Sequence, residues 1–109
     1  MNSKRKGSAG ERELCEYLTG AGYPAHRNNQ QFTGGRGNPD IDAQGLERFH
    51  IEVKRVEKLN ISAAMQQAER DAANRTPVVI HRRNREQWLI TMKLADFLQS
   101  GGAGNGICL

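Results

Sequence analysis

Two acidic residues and a lysine are spaced so that they could form a catalytic site. Asp40 follows Pro39 at the start of one predicted strand, and Glu52 and Lys54 lie two residues apart in the next. Because side chains alternate along a strand, Glu52 and Lys54 share a face, about 7 Å apart along it. A hairpin could bring the carboxylates of Asp40 and Glu52 to one hard cation such as Mg²⁺, with waters filling the remaining positions.

This set of residues suits the hydrolysis of a phosphodiester. The reaction needs an activated water and a place for the charge that builds on the phosphoryl oxygens, and carboxylate-bound Mg²⁺ can supply both. The ammonium group of Lys54 could contact the water or the phosphate. Taken singly, Asp40 is also typical of a turn after proline, and Glu52 with Lys54 of a solvated strand face. The prediction therefore depends on the combination.

A third acidic residue, Glu11, lies in the first predicted helix. It precedes Leu14 by three residues, which places its carboxylate on the inward face of that helix. A buried carboxylate is costly without a partner. We therefore expect Glu11 to face the metal, its water shell or a basic partner such as Lys54, whereas Glu13 and Glu16 are expected on the outward side.

Apolar periodicity and turn residues predict one domain over residues 1–100 with the element order αβββαββα. The first helix is expected to start at a Ser8 cap, and the second at Asn60 or Ser62. From residue 101 a Gly-rich tail is expected to be flexible. The predicted elements are a helix over 8–19, strands over 23–27, 40–43 and 49–54, a helix ending before 76, strands over 77–81 and 87–92, and a helix over 93–99.

The charge of the chain favours a polyanionic partner. Lysine and arginine exceed aspartate and glutamate by four, and the pI is about 9.4, which suits nucleic acid. Phe32, in a Gly-rich loop over residues 28–38, could stack on an unpaired base or wedge at a branch point; packing on the core is the alternative. The predicted DNA-binding residues are Lys4, Arg5, Lys6, Arg27, Phe32, Arg36, Arg82, Arg83 and Arg85.

The cysteines, histidines and aromatic residues bear on the cellular compartment, metal binding and oligomeric state of the protein. Cys15 and Cys108 are far apart in the sequence, and no apolar run approaches the length of a membrane span. We expect a reduced, cytoplasmic protein without membrane contact. The histidines do not form zinc-like spacings, although His50 shares the predicted face of Glu52 and could lie at the edge of the site. Sparse aromatic residues make a homodimer a natural way to complete the core.

The motifs Pro39-Asp40 and Glu52-Val53-Lys54 resemble the signature of the PD-(D/E)XK nuclease superfamily. Residues 6–14 look like the first helix of archaeal-type Holliday junction resolvases, where the acid matching Glu11 belongs to the active site. The resemblance spans about residues 4–92 and implies an α/β, restriction-endonuclease-like αβββαβ core, with a mixed central sheet flanked by helices. Residues 77–92 also look like small phage-encoded nucleases of the superfamily.

The resemblance implies specific roles for the motif residues. Asp40, Glu52 and the backbone carbonyl of Val53 would bind Mg²⁺, for which Mn²⁺ can substitute. Lys54 would be catalytic, and Gln67 could match a polar helix residue that lines the site in several branches, a solvated helix flank being the alternative reading. Glu11 would complete the catalytic set.

The predicted function is metal-dependent endonucleolytic cleavage of DNA, with branched DNA as the favoured substrate. The resemblance implies that the cut leaves a 5′ phosphate. A phage-type nuclease acting on flapped, nicked or linear duplex DNA is the first alternative. The second is a non-catalytic DNA-binding module. Against it stands the complete set of Glu11, Asp40, Glu52 and Lys54, of which a degenerate copy would be expected to have lost at least one.

Overall fold

The computed structural model describes residues 3–28 and 37–99, with side chains from residue 7 onward. Some of the predicted features lie outside these described residues. They are the contacts of Phe32 and Arg36, the side chains of Lys4, Arg5 and Lys6, and the tail over 101–109. The elements are α1 (Ser3–Gly20), β1 (Ala25–Arg27), β2 (Ile41–Ala43), β3 (Phe49–Arg55), α2 (Ile61–Asp71), β4 (Thr76–Arg82), β5 (Leu89–Thr91) and α3 (Leu94–Phe97).

The predicted element order is confirmed, and one helix boundary is corrected. Helix α1 begins at Ser3 rather than after Ser8. Ser8 is therefore inside the helix, and its hydroxyl accepts a hydrogen bond from Arg27 Nη2 at 2.9 Å instead of capping the first turn. Asn60 is the residue that caps α2, because its side chain accepts from the Ala63 amide at 3.0 Å.

The five strands form one mixed sheet in the order β1-β2-β3-β4-β5. The predicted hairpin is present, since β2 pairs antiparallel with β3 and Ile41 lies opposite Ile51. Strands β3 and β4 are parallel, and α2 connects them, as a parallel crossover requires. The remaining pairs, β1 with β2 and β4 with β5, are antiparallel. The predicted α/β fold with a mixed central sheet is confirmed.

Helices cover both faces of the sheet. On one face, Leu14 and Cys15 of α1 pack against Ile41, Ile51 and Val78. On the other, Ala64 and Ala68 of α2 pack against Val79. Alternation along the strands explains this division, because neighbours such as Val78 and Val79 point to opposite faces. Within the described residues no helix is both long and apolar enough to cross a membrane.

A glycine lets α1 approach β3 closely. Gly10 is buried, and a Cβ atom built on it would lie 2.6 Å from the Cβ of Arg55. That distance is far below ordinary carbon contact, and the Arg55 atom is held next to the strand backbone rather than at a flexible end. Gly10 therefore sets the distance between helix and sheet one residue before Glu11.

Candidate active site

Asp40 is fixed to the neighbouring strand by its backbone and by its side chain. Its amide donates to the carbonyl of Ile51 at 3.0 Å, and its Oδ2 accepts from the amide of Val53 at 2.8 Å. Pro39, which precedes it, is fully buried and restricts the chain as it enters β2. The carboxylate of Asp40 is therefore held against β3, on the strand that carries Glu52.

Burial and neighbouring charge raise the pKa of Asp40 to about 7. Desolvation is the largest cause, and the negative charge of Glu52 is the second. The charge of Glu11 also raises this pKa, while the Val53 hydrogen bond and the charge of Lys54 lower it. The four residues predicted to be catalytic thus lie close enough to influence one carboxylate.

Glu52 lies deep in the sheet beside a histidine. Its exposed fraction is 3%, and that of His50 is 0%. The distance between His50 Nε2 and Glu52 Oε1 is 3.1 Å. An ionised carboxylate can only accept, so the imidazole N–H donates to it. From the sequence we expected His50 at most at the edge of the site; their shared strand face was the available signal for this contact.

Lys54 contacts the second helix through Gln67. Its Nζ donates to Gln67 Oε1 at 3.3 Å, and both residues are partly buried. Gln67 lies on α2, which follows β3 in the chain and packs on the same face of the sheet as Glu52, since Glu52 pairs in register with Val79. The structure therefore places Gln67 beside Lys54 of the Glu52-Val53-Lys54 motif rather than on a solvated flank.

Glu11 is buried on the inner side of α1, with an exposed fraction of 6%. Its Oε1 accepts a hydrogen bond from Arg27 Nε at 2.8 Å. The guanidinium of Arg27 also donates to Ser8, so it connects two positions on α1 to β1. A basic partner was expected from the cost of burial; the structure identifies it as Arg27, one of the predicted DNA-binding residues.

Glu13 is not on a free outward surface, contrary to expectation. It accepts from Arg55 Nε at 2.9 Å and forms a second ion pair with Arg82. The turn of α1 that carries Glu13 lies against the strand ends, because α1 packs along β3. Glu16 is exposed, as predicted.

The predicted basic cluster begins at the last residue of β4, and two of its three arginines contact other residues of the chain. Besides its ion pair with Glu13, Arg82 donates from Nε to the carbonyl of Glu86 at 2.6 Å. Arg83 forms an ion pair with Glu86 at 3.1 Å. Arg85 is exposed and has a positive φ of 64°. Contact with DNA by these residues stays a prediction, and for Arg82 it would compete with the ion pair to Glu13 and the hydrogen bond to Glu86.

The donor set near Asp40 fits a hard divalent cation. Two carboxylates, Asp40 and Glu52, are close enough that the charge of one raises the pKa of the other, and a cation between them would relieve that repulsion. Mg²⁺ commonly takes one or two carboxylates and keeps several waters. Among the described residues no cluster of three or more histidine, cysteine or acidic side chains has the geometry to bind a metal. Asp40 and Glu52 match the number of protein carboxylates that Mg²⁺ commonly takes.

A mixed sheet flanked by helices, with Asp40 and Glu52 brought together on one hairpin, defines a nuclease domain of the PD-(D/E)XK class. The chain belongs to the family described as "Phage putative PDDEXK endonuclease", whose sequence profile matches residues 2–105. A search of curated proteins finds no match. The protein is therefore an endonuclease by family.

A solved structure has the same fold. It is that of Archaeoglobus fulgidus Hjc, a Holliday junction resolvase from an archaeal hyperthermophile, with a TM-score of 0.55 and 25% sequence identity. The match covers 80% of this chain and 72% of the archaeal one. This similarity confirms the restriction-endonuclease-like fold and agrees with the two resemblances noted in the sequence.

Proposed function

We propose that this protein is a Mg²⁺-dependent endodeoxyribonuclease that favours branched DNA. The observation that carries the proposal is the Asp40 and Glu52 pair: two carboxylates held together on β2 and β3, with the pKa of Asp40 raised to about 7 by burial and by the charge of Glu52. Such an arrangement is costly in an isolated protein and favourable around a cation.

Asp40, Glu52 and the carbonyl of Val53 are the groups proposed to hold the metal. When bound, Mg²⁺, or Mn²⁺ in its place, would lower the pKa of a water and neutralise charge on the scissile phosphate. The protein contributes rigidity to this site. The Val53 amide fixes Asp40 Oδ2, and β2 and β3 are paired, so the two carboxylates keep their separation without DNA.

Lys54 is proposed to act on the phosphate or on the attacking water. Gln67 accepts one of the three ammonium protons of Lys54, which holds Nζ on the side of the sheet where Glu52 lies. The remaining protons can be donated to a phosphate oxygen, where a positive charge stabilises the transition state. Gln67 thereby acts as a positioning residue for Lys54.

Glu11 is proposed to belong to the same site, with Arg27 as its support. The ion pair between them lies partly out of water, and the charge of Glu11 reaches Asp40. A carboxylate at this position can orient water near the cation. The ion pair also brings the guanidinium of Arg27 close to the site, where DNA phosphates would pass.

Branched DNA is the proposed substrate because of two similarities and one physical argument. The archaeal protein with the same fold is a Holliday junction resolvase, and residues 6–14 resemble the first helix of that group. Recognition of a junction depends on backbone geometry rather than base edges, which suits an excess of positive charge. The family description names phage endonucleases but no substrate. A phage-type nuclease on flapped, nicked or linear DNA therefore stays the alternative, and the experiment below separates the two.

A homodimer is proposed as the active form. Strand β5, at one edge of the sheet, and the adjacent α3 expose a group of large apolar side chains, which favours a protein contact. A second copy would cover them and place two sites about a two-fold axis, as paired cuts require. These side chains are Leu89, Ile90, Leu94, Phe97 and Leu98.

Sedimentation of the wild-type chain and of Leu94→Glu tests the dimer. Leu94 is 69% exposed, so its replacement should not disturb the fold. Glu16→Gln, at an exposed position of α1, serves as the control. We expect a wild-type dimer that Leu94→Glu dissociates. A monomeric wild type, or a dimer that the substitution leaves intact, would show that this surface does not form the interface.

Cleavage of labelled DNA tests the activity. A four-way junction, a flap, a nicked duplex and a linear duplex are incubated with the wild type, with Mg²⁺ or with a chelator. Asp40→Asn and Glu52→Gln should abolish cleavage while DNA binding stays near wild type or becomes tighter, because negative charge that repels phosphate is removed. Asp42→Asn, on the same strand, is the matched control and should cut normally.

The outcomes separate the three functions. Paired cuts in the junction that require Mg²⁺ support the proposal, and preferential cutting of flaps, nicks or ends supports the phage-type alternative. Binding without any cleavage in Mg²⁺ or Mn²⁺ would indicate a non-catalytic DNA-binding module. Full activity of Asp40→Asn or Glu52→Gln would refute the site itself.

A further inference from the structure

His50 is the most deeply buried polar side chain near the active site. It has no exposed surface, and its Nε2 lies 3.1 Å from Oε1 of Glu52. Both residues point to the same face of β3 because they are two positions apart. His50 lies between the two parts of the superfamily signature, Pro39-Asp40 and Glu52-Val53-Lys54, and belongs to neither.

Apart from Glu52, the described neighbours of His50 form no hydrogen bond with its imidazole ring. On the parallel neighbour β4, Pro77 lies beside His50 and Val79 beside Glu52. Within the described parts of the chain, Nδ1 of His50 is buried and has no hydrogen-bond partner. A buried polar atom without a partner is unfavourable, and an apolar side chain of similar size would avoid it. What the imidazole adds at this position is the hydrogen bond to Glu52.

From this contact we infer that His50 is a positioning residue that orients the carboxylate of Glu52 for the divalent cation. The inference rests on the proposed function, since it assumes that Glu52 is a metal ligand. A carboxylate on a strand can rotate about its side-chain bonds, and a fixed donor on one oxygen restricts that rotation. Groups that hydrogen-bond to ligating carboxylates commonly tune metal affinity in this way.

Two nearly isosteric replacements test the hydrogen bond. His50→Gln keeps an N–H donor at the end of a side chain, whereas His50→Met has a similar length and no such donor. His50→Leu provides a second apolar replacement, should methionine disturb the fold. Val78→Ala controls for lost stability, because Val78 is fully buried on the opposite face of the sheet, in the α1 core.

Binding of Mn²⁺ to the full chain without DNA is measured by titration calorimetry, together with the Mn²⁺ concentration that half-saturates cleavage. We expect His50→Met and His50→Leu to weaken Mn²⁺ binding by roughly 10- to 100-fold. We expect His50→Gln to recover most of that loss and Val78→Ala to bind Mn²⁺ like the wild type although it melts at a lower temperature.

The result that overturns the inference is equal Mn²⁺ affinity in the methionine and glutamine variants. An affinity of His50→Met that matches the wild type would do the same, because the histidine would then be only a packing residue. Both results are distinguishable from failure of the proposed function, in which the wild type itself neither binds Mn²⁺ at this site nor cuts DNA.

Discussion

Replacing Asp40 by asparagine should stabilise the metal-free protein at neutral and alkaline pH, even though it removes activity. The carboxyl group has a pKa of about 7 in the folded chain, against 3.8 for an unperturbed aspartate, because it is buried beside Glu52. Asparagine has nearly the same shape, and its side-chain oxygen can still accept from the Val53 amide. Only the charge is lost.

The sign and the size of this difference in unfolding free energy follow from the coupling of folding to proton binding. Between the two pKa values the folded chain keeps the proton that the unfolded chain has released, so stability falls as pH rises. For each pH unit in this interval, the free energy of unfolding falls by about 1.4 kcal/mol. Over the shift from 3.8 to about 7 the wild type should thus lose about 4 kcal/mol relative to Asp40→Asn. The loss is complete above the folded pKa and absent below the unfolded one.

Urea denaturation of both chains in chelator, at about pH 4 and about pH 8, measures this difference. Comparing the two chains cancels the titration of groups that they share. Asp42→Asn is the matched control, since Asp42 lies on the same strand but forms an ion pair with Arg75 at 3.8 Å. Its pH profile should follow that of the wild type, with a small constant offset at most.

A constant difference between Asp40→Asn and the wild type across this pH range would refute the reasoning. It would mean that Asp40 ionises as easily in the folded chain as in the unfolded one, and that Glu52 does not act on it. A less stable Asp40→Asn at about pH 8 would have the same implication, because the charge would then be stabilising. Either result would remove the main physical argument for a cation between these carboxylates.

Substitutions at three further residues, Lys54, Gly10 and Glu11, test other parts of the molecule. Lys54→Ala should lower the cleavage rate by orders of magnitude with little change in melting temperature, and arginine should rescue it poorly because its planar fork cannot replace the ammonium. Gly10→Ala should destabilise the chain to urea by roughly 1–2 kcal/mol, because the clash with Arg55 outweighs a gain in helix propensity of about 1 kcal/mol. Glu11→Gln should strongly reduce junction cleavage, whereas Glu16→Gln, at an exposed position, should leave it unchanged. Equal activities of the two variants would show that Glu11 is not part of the site.

The sequence alone predicted the element order and the residues of the central motif, because both depend on short-range periodicity. Alternation along one strand is enough to put Glu52 and Lys54 on one face, and a proline followed by a strand is enough to place Asp40 at the start of a hairpin. The inward position of Glu11 followed in the same way from helical spacing to Leu14. Each of these predictions needs only neighbours in the chain.

The partners of these residues were decided by tertiary structure. Arg27 meets Glu11, Gln67 meets Lys54, and Glu13 bridges Arg55 and Arg82, although each pair is distant in sequence. Helical spacing reports which side of α1 is apolar but not how the helix lies across the sheet, so Glu13 was wrongly expected to face solvent. That placement is set by packing, above all by the close approach of α1 to β3, which a side chain on residue 10 would prevent.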